Sequence, residues 1–493
     1  MQTVSCPSCG AEVNFRSHAS VMAVCEYCNT RVLKEAGAVK DLGKISSVLE
    51  DYSPIQIGTS GVLGGRNFNV VGRIQLRYDA GMWNEWYVVF DDATSGWLGD
   101  ASGQYMMTTL RPPDNALPAY EDLRPGKPYQ IAGERYVAAD VRTSRCIGGQ
   151  GELPFKVGDG WEAKAADFRR GDQFLTIDYS DEGPPLLYTG AAVTLEGMQC
   201  QLLRDVEDIK RTSGRYRGQL DALECPNCGT QIKYLPGLTS TLVCQSCHTQ
   251  IDAGSPKAQV IAIGEKQERE RFTLPLGASG KLGNQDFTII GVMRRADDEG
   301  NGWTEYLLYG SRSGFTWLVE TSDGWFRANV LDQWPDAKAL DSQSVTVDKA
   351  DYSKLYDYNS VVTYAAGAFN WRLQVGDHTH VYEFKRQQVT LAAELTTTEL
   401  GWSRSTPVAW DQLKAWFGDA VKGEAPASGA VAEEFRKDRY ARSAKNWIMG
   451  MVALNAIPLL FNFGGTFGIT LVAGLALYLP ALVLDAMDDQ QKK

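Results

Sequence analysis

The sequence is short of the groups that most enzymatic chemistry relies on. Only four histidines occur in 493 residues, and no Walker A loop, dinucleotide-binding G-x-G-x-x-G, H-E-x-x-H or G-x-S-x-G element is present. Nucleotide cradling, zincin proteolysis and α/β-hydrolase chemistry are excluded as readings, and the Gly148 to Gly151 stretch "GGQG" reads as a loop. Positive charge is also scarce, with 49 Lys+Arg against 60 Asp+Glu and a net charge of −11. Nucleic-acid binders neutralise phosphates with clustered Lys and Arg. Here residues 1–34 carry three basic side chains against two Glu, and residues 221–252 one Lys against three acids, so no nucleic-acid partner is expected. Cysteine is rare outside two clusters. Of ten cysteines only Cys146 and Cys200 lie elsewhere, where buried free thiols are expected, and with no secretory signal before the first pair a disulfide framework is not. A reducing, cytoplasmic setting is expected instead.

The clusters themselves are complete. "CPSCGAEVNFRSHASVMAVCEYC" carries Cys6, Cys9, Cys25 and Cys28, and "CPNCGTQIKYLPGLTSTLVCQSC" carries Cys225, Cys228, Cys244 and Cys247. In each, two CxxC pairs stand 15 residues apart, a spacing that suits one tetrahedral zinc ion. Two zinc ions are therefore expected. An all-thiolate site leaves no open position for an activated water, so both should be structural. Gly10 follows the first CPxC, and Asn29 and His248 follow the second pairs, residue types that tolerate a positive φ. His248 is thus read as a knuckle residue rather than a ligand.

The repetition extends well beyond the cysteines. Gly61, Leu63, Gly64, Phe68 and Gly72 recur as Gly280, Leu282, Gly283, Phe287 and Gly291, each 219 positions later. After one inserted residue Trp83, Glu85 and Trp97 recur as Trp303, Glu305 and Trp317, and "KVGDG" near Asp159 meets "QVGDH" near Asp377. Phe68, Val70, Gly72, Ile74 and Leu76 alternate with more polar neighbours, the period of a half-buried strand. "LGGRN" and "LGNQD" read as hairpin turns, and Gly72 and Gly291 as strand bulges or bends. The expected fold is mainly β: two tandem repeats of zinc ribbon plus compact β barrel or sandwich, followed by a helical membrane hairpin. The expected boundaries are ribbon 1–34, β domain 55–205, linker 206–221, ribbon 222–252, β domain 274–420, basic-ended tether 421–445 and membrane segment 446–484.

The G-x-L-G-x-x-x-F-x-V/I-x-G stretch, followed by W-x-E-W/Y and a W-L strand, resembles the DUF4178 family, covering roughly residues 55–205 and 274–420. The resemblance implies a bacterial protein that pairs this domain with a zinc ribbon. It also implies a membrane-associated stress or maintenance system, since such domains are often encoded near polyamine aminopropyltransferases, small membrane proteins and envelope-stress proteins. It supplies no reaction and no catalytic residues.

Glu85 and Glu305 are the most suggestive carboxylates, because both copies keep them two residues after Trp83 and Trp303, on the same face of a strand. Such a carboxylate can act as an acid, a base or a cation anchor. The plain alternative pairs it with an Arg or with backbone N–H groups. His378 and His380 alternate on a strand and align with Gly160 and Glu162, so a metal site shared by the repeats is not expected. No catalytic constellation emerges. From Asn446 to Leu484 the chain runs 39 residues without a charge, behind Arg436, Lys437, Arg439, Arg442 and Lys445. One straight helix of that length would reach nearly twice the hydrocarbon thickness. A hairpin is expected, with helices Trp447 to Phe463 and Thr466 to Leu484, Pro458 as a kink in the first, a turn at Gly464 and Gly465, and both ends cytoplasmic by the distribution of Lys and Arg. The leading functional expectation is a non-enzymatic adaptor at the bacterial inner membrane with protein partners. The alternative is a β domain that binds or transforms a small cation such as a polyamine.

Overall fold

The computed structural model describes residues 2–15, 20–28, 30–35, 38–44, 53–78, 81–101, 103–112, 117–156, 161–205, 221–234, 241–252, 259–262, 272–310, 314–335, 340, 342–371, 373–423, 439–455 and 463–490. Most of the expected linker and tether, and Asn29, Asp159, Gly160 and Pro458, lie outside the described residues.

The first repeat contains β1 (Gln2–Ser5), β2 (Glu12–Phe15), β3 (Met22–Val24), β4 (Thr30–Glu35), β5 (Ala38–Lys44), β6 (Ser60–Leu63), β7 (Arg66–Tyr78), β8 (Gly81–Phe90), β9 (Ser95–Ala101), β10 (Gln104–Arg111), β11 (Pro128–Ile131), β12 (Glu134–Leu153), β13 (Glu162–Arg170), β14 (Gln173–Asp178) and β15 (Leu186–Val193). The second repeats the series as β16 (Asp221–Glu224), β17 (Gln231–Tyr234), β18 (Thr241–Val243), β19 (Gln250–Asp252), β20 (Gln259–Ala262), β21 (Ser279–Leu282), β22 (Gln285–Asp297), β23 (Gly302–Gly310), β24 (Gly314–Thr321), β25 (Gly324–Val330), β26 (Ser344–Val347), β27 (Ala350–Phe369), β28 (His378–Arg386), β29 (Val389–Leu395) and β30 (Leu400–Val408). Strand order is the same in both halves. In the first, the strands follow one another as β12, β13, β14, β15, β10, β9, β8 and β7, and β7 pairs back onto β12 to close an eight-stranded barrel. The second closes in the same way through β22 and β27. Closure removes the exposed edges of a sheet, and it decides for a barrel over a sandwich.

Contacts that span the barrels identify their interior faces. Arg169 on β13 reaches Met106 Sδ on β10, 3.0 Å away and three strands along the wall. Arg295 on β22 bonds Glu394 on β29 at 2.9 Å, again three strands away. Such pairs meet only through the lumen. Strand alternation then places Glu85 and Tyr87 inside and Trp86 and Val88 outside. The outward residues are not exposed. Phe68, Trp86, Leu98 and Met107 pack beneath Ile55 and Met198, which lie outside the barrel strands, while Phe168, Leu175 and Leu187 pack with Leu123 and Ile131. In the second repeat α1 (Trp410–Phe417) contributes Leu413 and Phe417 to the outer cluster.

Each ribbon is stitched to its barrel rather than hung from it. β3 pairs with the far end of β12, Val24 opposite Gly151, and β18 pairs with β27, Val243 opposite Gly367. At this crossing the backbones nearly touch, because a Cβ on Gly72 would lie 1.7 Å from the Glu152 carbonyl oxygen and one on Gly151 would lie 2.3 Å from that of Val71. Gly151 has φ +68° and Gly367 φ +96°, which glycine adopts freely. The expected bulges at Gly72 and Gly291 are present as register shifts in the β7–β8 and β22–β23 pairs. The "GGQG" stretch, by contrast, is not a loop but the end of β12, where lack of side chains permits barrel closure and ribbon attachment at one point.

The repeats touch each other. Val141 N–H donates to the Thr398 carbonyl at 3.0 Å, Arg142 Nη2 donates to Glu399 Oε2 at 2.7 Å, and Trp334 N–H donates to the Gly171 carbonyl at 2.8 Å.

The C-terminal unit consists of α2 (Arg439–Leu454) and α3 (Phe463–Gln490). Gly464 and Gly465 fall in the first turn of α3 rather than between the helices; a glycine pair near a helix end costs little. The chain between the helices, residues 456–462, lies outside the described residues. Lys445 Nζ stands 5.9 Å from the Tyr478 ring, so α2 and α3 lie against each other. Among the described residues one helical stretch, Thr466–Val483, is long and apolar enough to cross a membrane.

Candidate metal centres and barrel interiors

In the first cluster Cys6 and Cys28 Sγ are 3.6 Å apart, as are Cys9 and Cys25. In the second the same separation holds for Cys225 with Cys247 and Cys228 with Cys244. All four sulfurs of each cluster lie within 4.8 Å of one another. A tetrahedron with zinc–sulfur bonds of about 2.3 Å has edges of roughly 3.8 Å, so both sulfur sets fit a four-coordinate metal ion. All eight cysteines are free thiols, and the separations are far beyond a disulfide bond. The turns supply the geometry. Gly10 and Gly229 adopt φ of 77° and 73° and donate their N–H groups to the Cys6 and Cys225 carbonyls, while His248 does the same at φ 53° toward Cys244. The His248 ring packs on Tyr364 at 5.0 Å, a knuckle residue as its sequence position suggests. The Thr30 hydroxyl and N–H lower the Cys28 thiol, while burial raises that of Cys25.

Deep in the first barrel, Trp83 Nε1–H donates to Glu85 Oε1 at 2.8 Å. Burial pushes the Glu85 carboxyl up to about 8, opposed by the Trp83 bond and reinforced by Asp167, Asp100 and Asp178, all acidic. Glu85 nonetheless keeps part of its surface accessible to solvent. The rest of this lumen holds Arg142, paired with Asp140 and lying 4.0 Å over the Tyr78 ring, and Asp167, which accepts from the Thr176 hydroxyl at 2.7 Å. Burial raises the Asp140 carboxyl to about 7 against the pull of Arg142. It also lowers Arg169 to about 10, and the Arg169 guanidinium lies 5.3 Å from the ring of Trp334, contributed by the other repeat.

The second barrel keeps the Trp–Glu pair, Trp303 Nε1–H to Glu305 Oε1 at 2.6 Å, and adds a cation. Arg295 Nη1 stands 3.6 Å from Glu305 and 2.9 Å from Glu394, and Nη2 donates to the Thr379 hydroxyl at 2.8 Å. Burial raises the Glu305 carboxyl, Arg295 lowers it, and Glu394 raises it again. Tyr358 donates to Glu383 at 2.9 Å nearby.

Residue types within each strand gave no signal for Arg295, Glu394, Asp167 or Arg142, because their partners come from strands distant in sequence. His378 and His380 stand on β28, where His380 Nδ1 meets Asn359 Oδ1 at 2.8 Å. The strand register pairs Thr379 with Ser360 and Ala163 with Ser144, so the counterparts of the two histidines are Glu162 and Lys164, two positions on from those of the sequence alignment. Cys146 is buried, and burial pushes Cys200 up to about 11.

Comparison with known families fits this architecture. The model of the family described as Domain of unknown function (DUF4178) matches residues 56–195 and 275–409, one match on each barrel. The chain belongs to the DUF4178 family. No curated protein and no solved structure matches it. Both DUF4178 matches begin just before the hairpin β6–β7 or β21–β22 and end just after the last barrel strand, leaving the ribbons outside. The pairing of β3 with β12 makes ribbon and DUF4178 barrel one continuous sheet all the same.

Proposed function

We propose that this DUF4178 protein is a non-enzymatic adaptor, two zinc-stapled barrels held at the bacterial inner membrane by the C-terminal helices with the bulk of the chain in the cytoplasm. The observation that carries the reading is the doubled ribbon–barrel unit, one strand order used twice, ahead of an apolar helix. Two similar surfaces on one tether raise the effective concentration for a partner that engages both. The partners are proteins, membrane proteins of the same envelope-stress or polyamine-linked system among them. Zinc is the metal the eight thiolates suit best, and its role is structural, since four sulfurs close the coordination sphere. Affinity capture of the full chain from detergent extracts should recover a defined partner that is lost when residues 55–420 are removed. Recovery of no reproducible partner overturns the reading.

A second reading is favoured by one observation, the Trp–Glu pair kept inside both barrels. A carboxylate among aromatic rings suits a small cation such as a polyamine. Spermidine should raise the unfolding temperature of the chain, and Glu85→Gln or Glu305→Gln should reduce that gain; an unchanged melting temperature argues against it.

A further inference from the structure

We propose that the interior of the first barrel binds a small organic cation with a guanidinium or ammonium head, in the place that the second barrel fills with its own Arg295. The proposal deepens the second reading above by assigning the site to one barrel and naming the head group.

The argument is a comparison of equivalent positions within one chain. Leu76 and Arg295 are each the direct cross-strand partner of the lumen tryptophan, Trp83 and Trp303. Ala163 and Thr379 each face a serine, Ser144 and Ser360, whose hydroxyl donates to its partner's carbonyl at 3.4 and 3.3 Å. Asp178 and Glu394 stand three residues beyond Leu175 and Leu391, which pair with Phe168 and Phe384. In the second barrel these positions hold a complete cation site, where Glu305, Glu394 and the Thr379 hydroxyl surround the Arg295 guanidinium. In the first barrel the acids remain as Glu85 and Asp178, while three side chains shrink, Arg295 to Leu76, Thr379 to Ala163 and Glu394 to Asp178. The cation is gone, and Leu76 and Ala163, packed with Trp83 and Trp97, supply no head group in its place. The charges acting on Glu85 from the neighbouring strands are those of Asp167 on β13, Asp100 on β9 and Asp178 on β14, while the lumen guanidiniums Arg142 and Arg169 act on Asp140 and Asp167. Trp83, Tyr87 and Trp97 line the same face, with Tyr87 and Trp97 rings 5.2 Å apart, a wall suited to cation–π contact and to an apolar stem. Glu85 is partly exposed, as Glu305 is.

The test is calorimetric titration of the full-length chain in detergent with methylguanidinium and with methylammonium at millimolar concentrations, with urea as the neutral isostere. One equivalent of a cation should bind and urea should not. Because Glu85 must ionise to receive the cation, binding at pH 7 should release about one proton, seen as a heat that varies with the ionisation enthalpy of the buffer. Leu76→Arg, which supplies the head group internally, should weaken binding at least tenfold, and Glu85→Gln should do the same while leaving the β-sheet circular dichroism unchanged. The double variant Arg295→Leu with Thr379→Ala should raise the stoichiometry to two. Binding that survives both Leu76→Arg and Glu85→Gln overturns the assignment to this barrel while leaving a cationic ligand elsewhere on the chain. Absence of binding by either cation overturns the assignment and the broader reading together.

Discussion

Leu76 in the first barrel and Arg295 in the second stand at one and the same structural position, each directly opposite the lumen tryptophan of the neighbouring strand. The duplicated framework has therefore diverged at a buried electrostatic point. In the second barrel Arg295 ties Glu305 to Glu394 across the lumen. Arg295→Leu should leave two facing carboxylates without a cation and cost about 2 kcal/mol at pH 8, less than for a fully buried pair because Glu394 keeps 40% exposure. Acidification should shrink the loss as the Glu305 carboxyl, raised by burial, takes up a proton. Urea unfolding at pH 8 and at lower pH measures both effects.

The Glu85 carboxyl is raised above its unfolded value to about 8. Its folded state thus holds a proton that the unfolded chain has already lost, so it costs stability progressively as pH rises from the unfolded carboxylate range to about 8. Below that window the contribution is neutral. Glu85→Gln should flatten this part of the stability profile, leaving the variant more stable than the parent above about pH 8 and little different near pH 4. Melting temperatures across pH 4 to 9 for both proteins decide it.

Gly72→Ala should be severely destabilising, by about 3 kcal/mol or more, because the new Cβ would lie 1.7 Å from a backbone oxygen at the barrel–ribbon crossing. Gly64→Ala is the control. It sits at φ +56° with open space around it, so it should cost only about 1 kcal/mol from backbone strain. Chemical denaturation midpoints of the two variants should therefore differ clearly; equal costs would show that the crossing is looser than the backbone separation requires.

Purified protein should carry two zinc ions per chain by elemental analysis. Cys9→Ser or Cys228→Ser should each remove one ion and loosen the corresponding ribbon, while the barrel keeps its β-sheet spectrum. Because thiolates must lose their protons to bind metal, zinc should dissociate as pH falls, and a chelator should remove it faster at pH 5.5 than at pH 7.5. Iron, or no metal, in place of zinc would contradict the assignment.

Deletion of residues 446–493 should move the chain from the membrane pellet to the soluble fraction. Full-length protein that carbonate extracts would contradict a spanning segment. With α2 and α3 both crossing, a reporter fused after Lys493 should read cytoplasmic, whereas a periplasmic reading would mean that Thr466–Val483 crosses alone.

Local chemistry in the sequence determined the two four-cysteine clusters, the duplication and the strand character. Four thiols at fixed spacing need only a short loop to meet, and the alternation from Phe68 to Leu76 marks a strand, although the register shift at Gly72 puts Phe68 and Val70 in the outer cluster and Ile74 and Leu76 on the lumen side rather than all on one face. It also placed Trp83 beside Glu85, since residues two apart on a strand share a face. Tertiary structure alone decided the rest. Whether the sheet closed depended on β12 and β27 reaching back to β7 and β22, a pairing over some seventy residues that no local pattern encodes. The glycines of "GGQG" were read as a loop because their function, letting two backbones pass within contact, exists only once β7 and β12 cross. Gly464 and Gly465 were read as a turn, yet the helix begins just before them. Glu85 and Glu305, kept in both repeats, were indistinguishable as letters. One acquired Arg295 and Glu394 and the other Leu76 and Asp178, because electrostatics in a barrel lumen is set by side chains that meet across it from strands far apart in the chain.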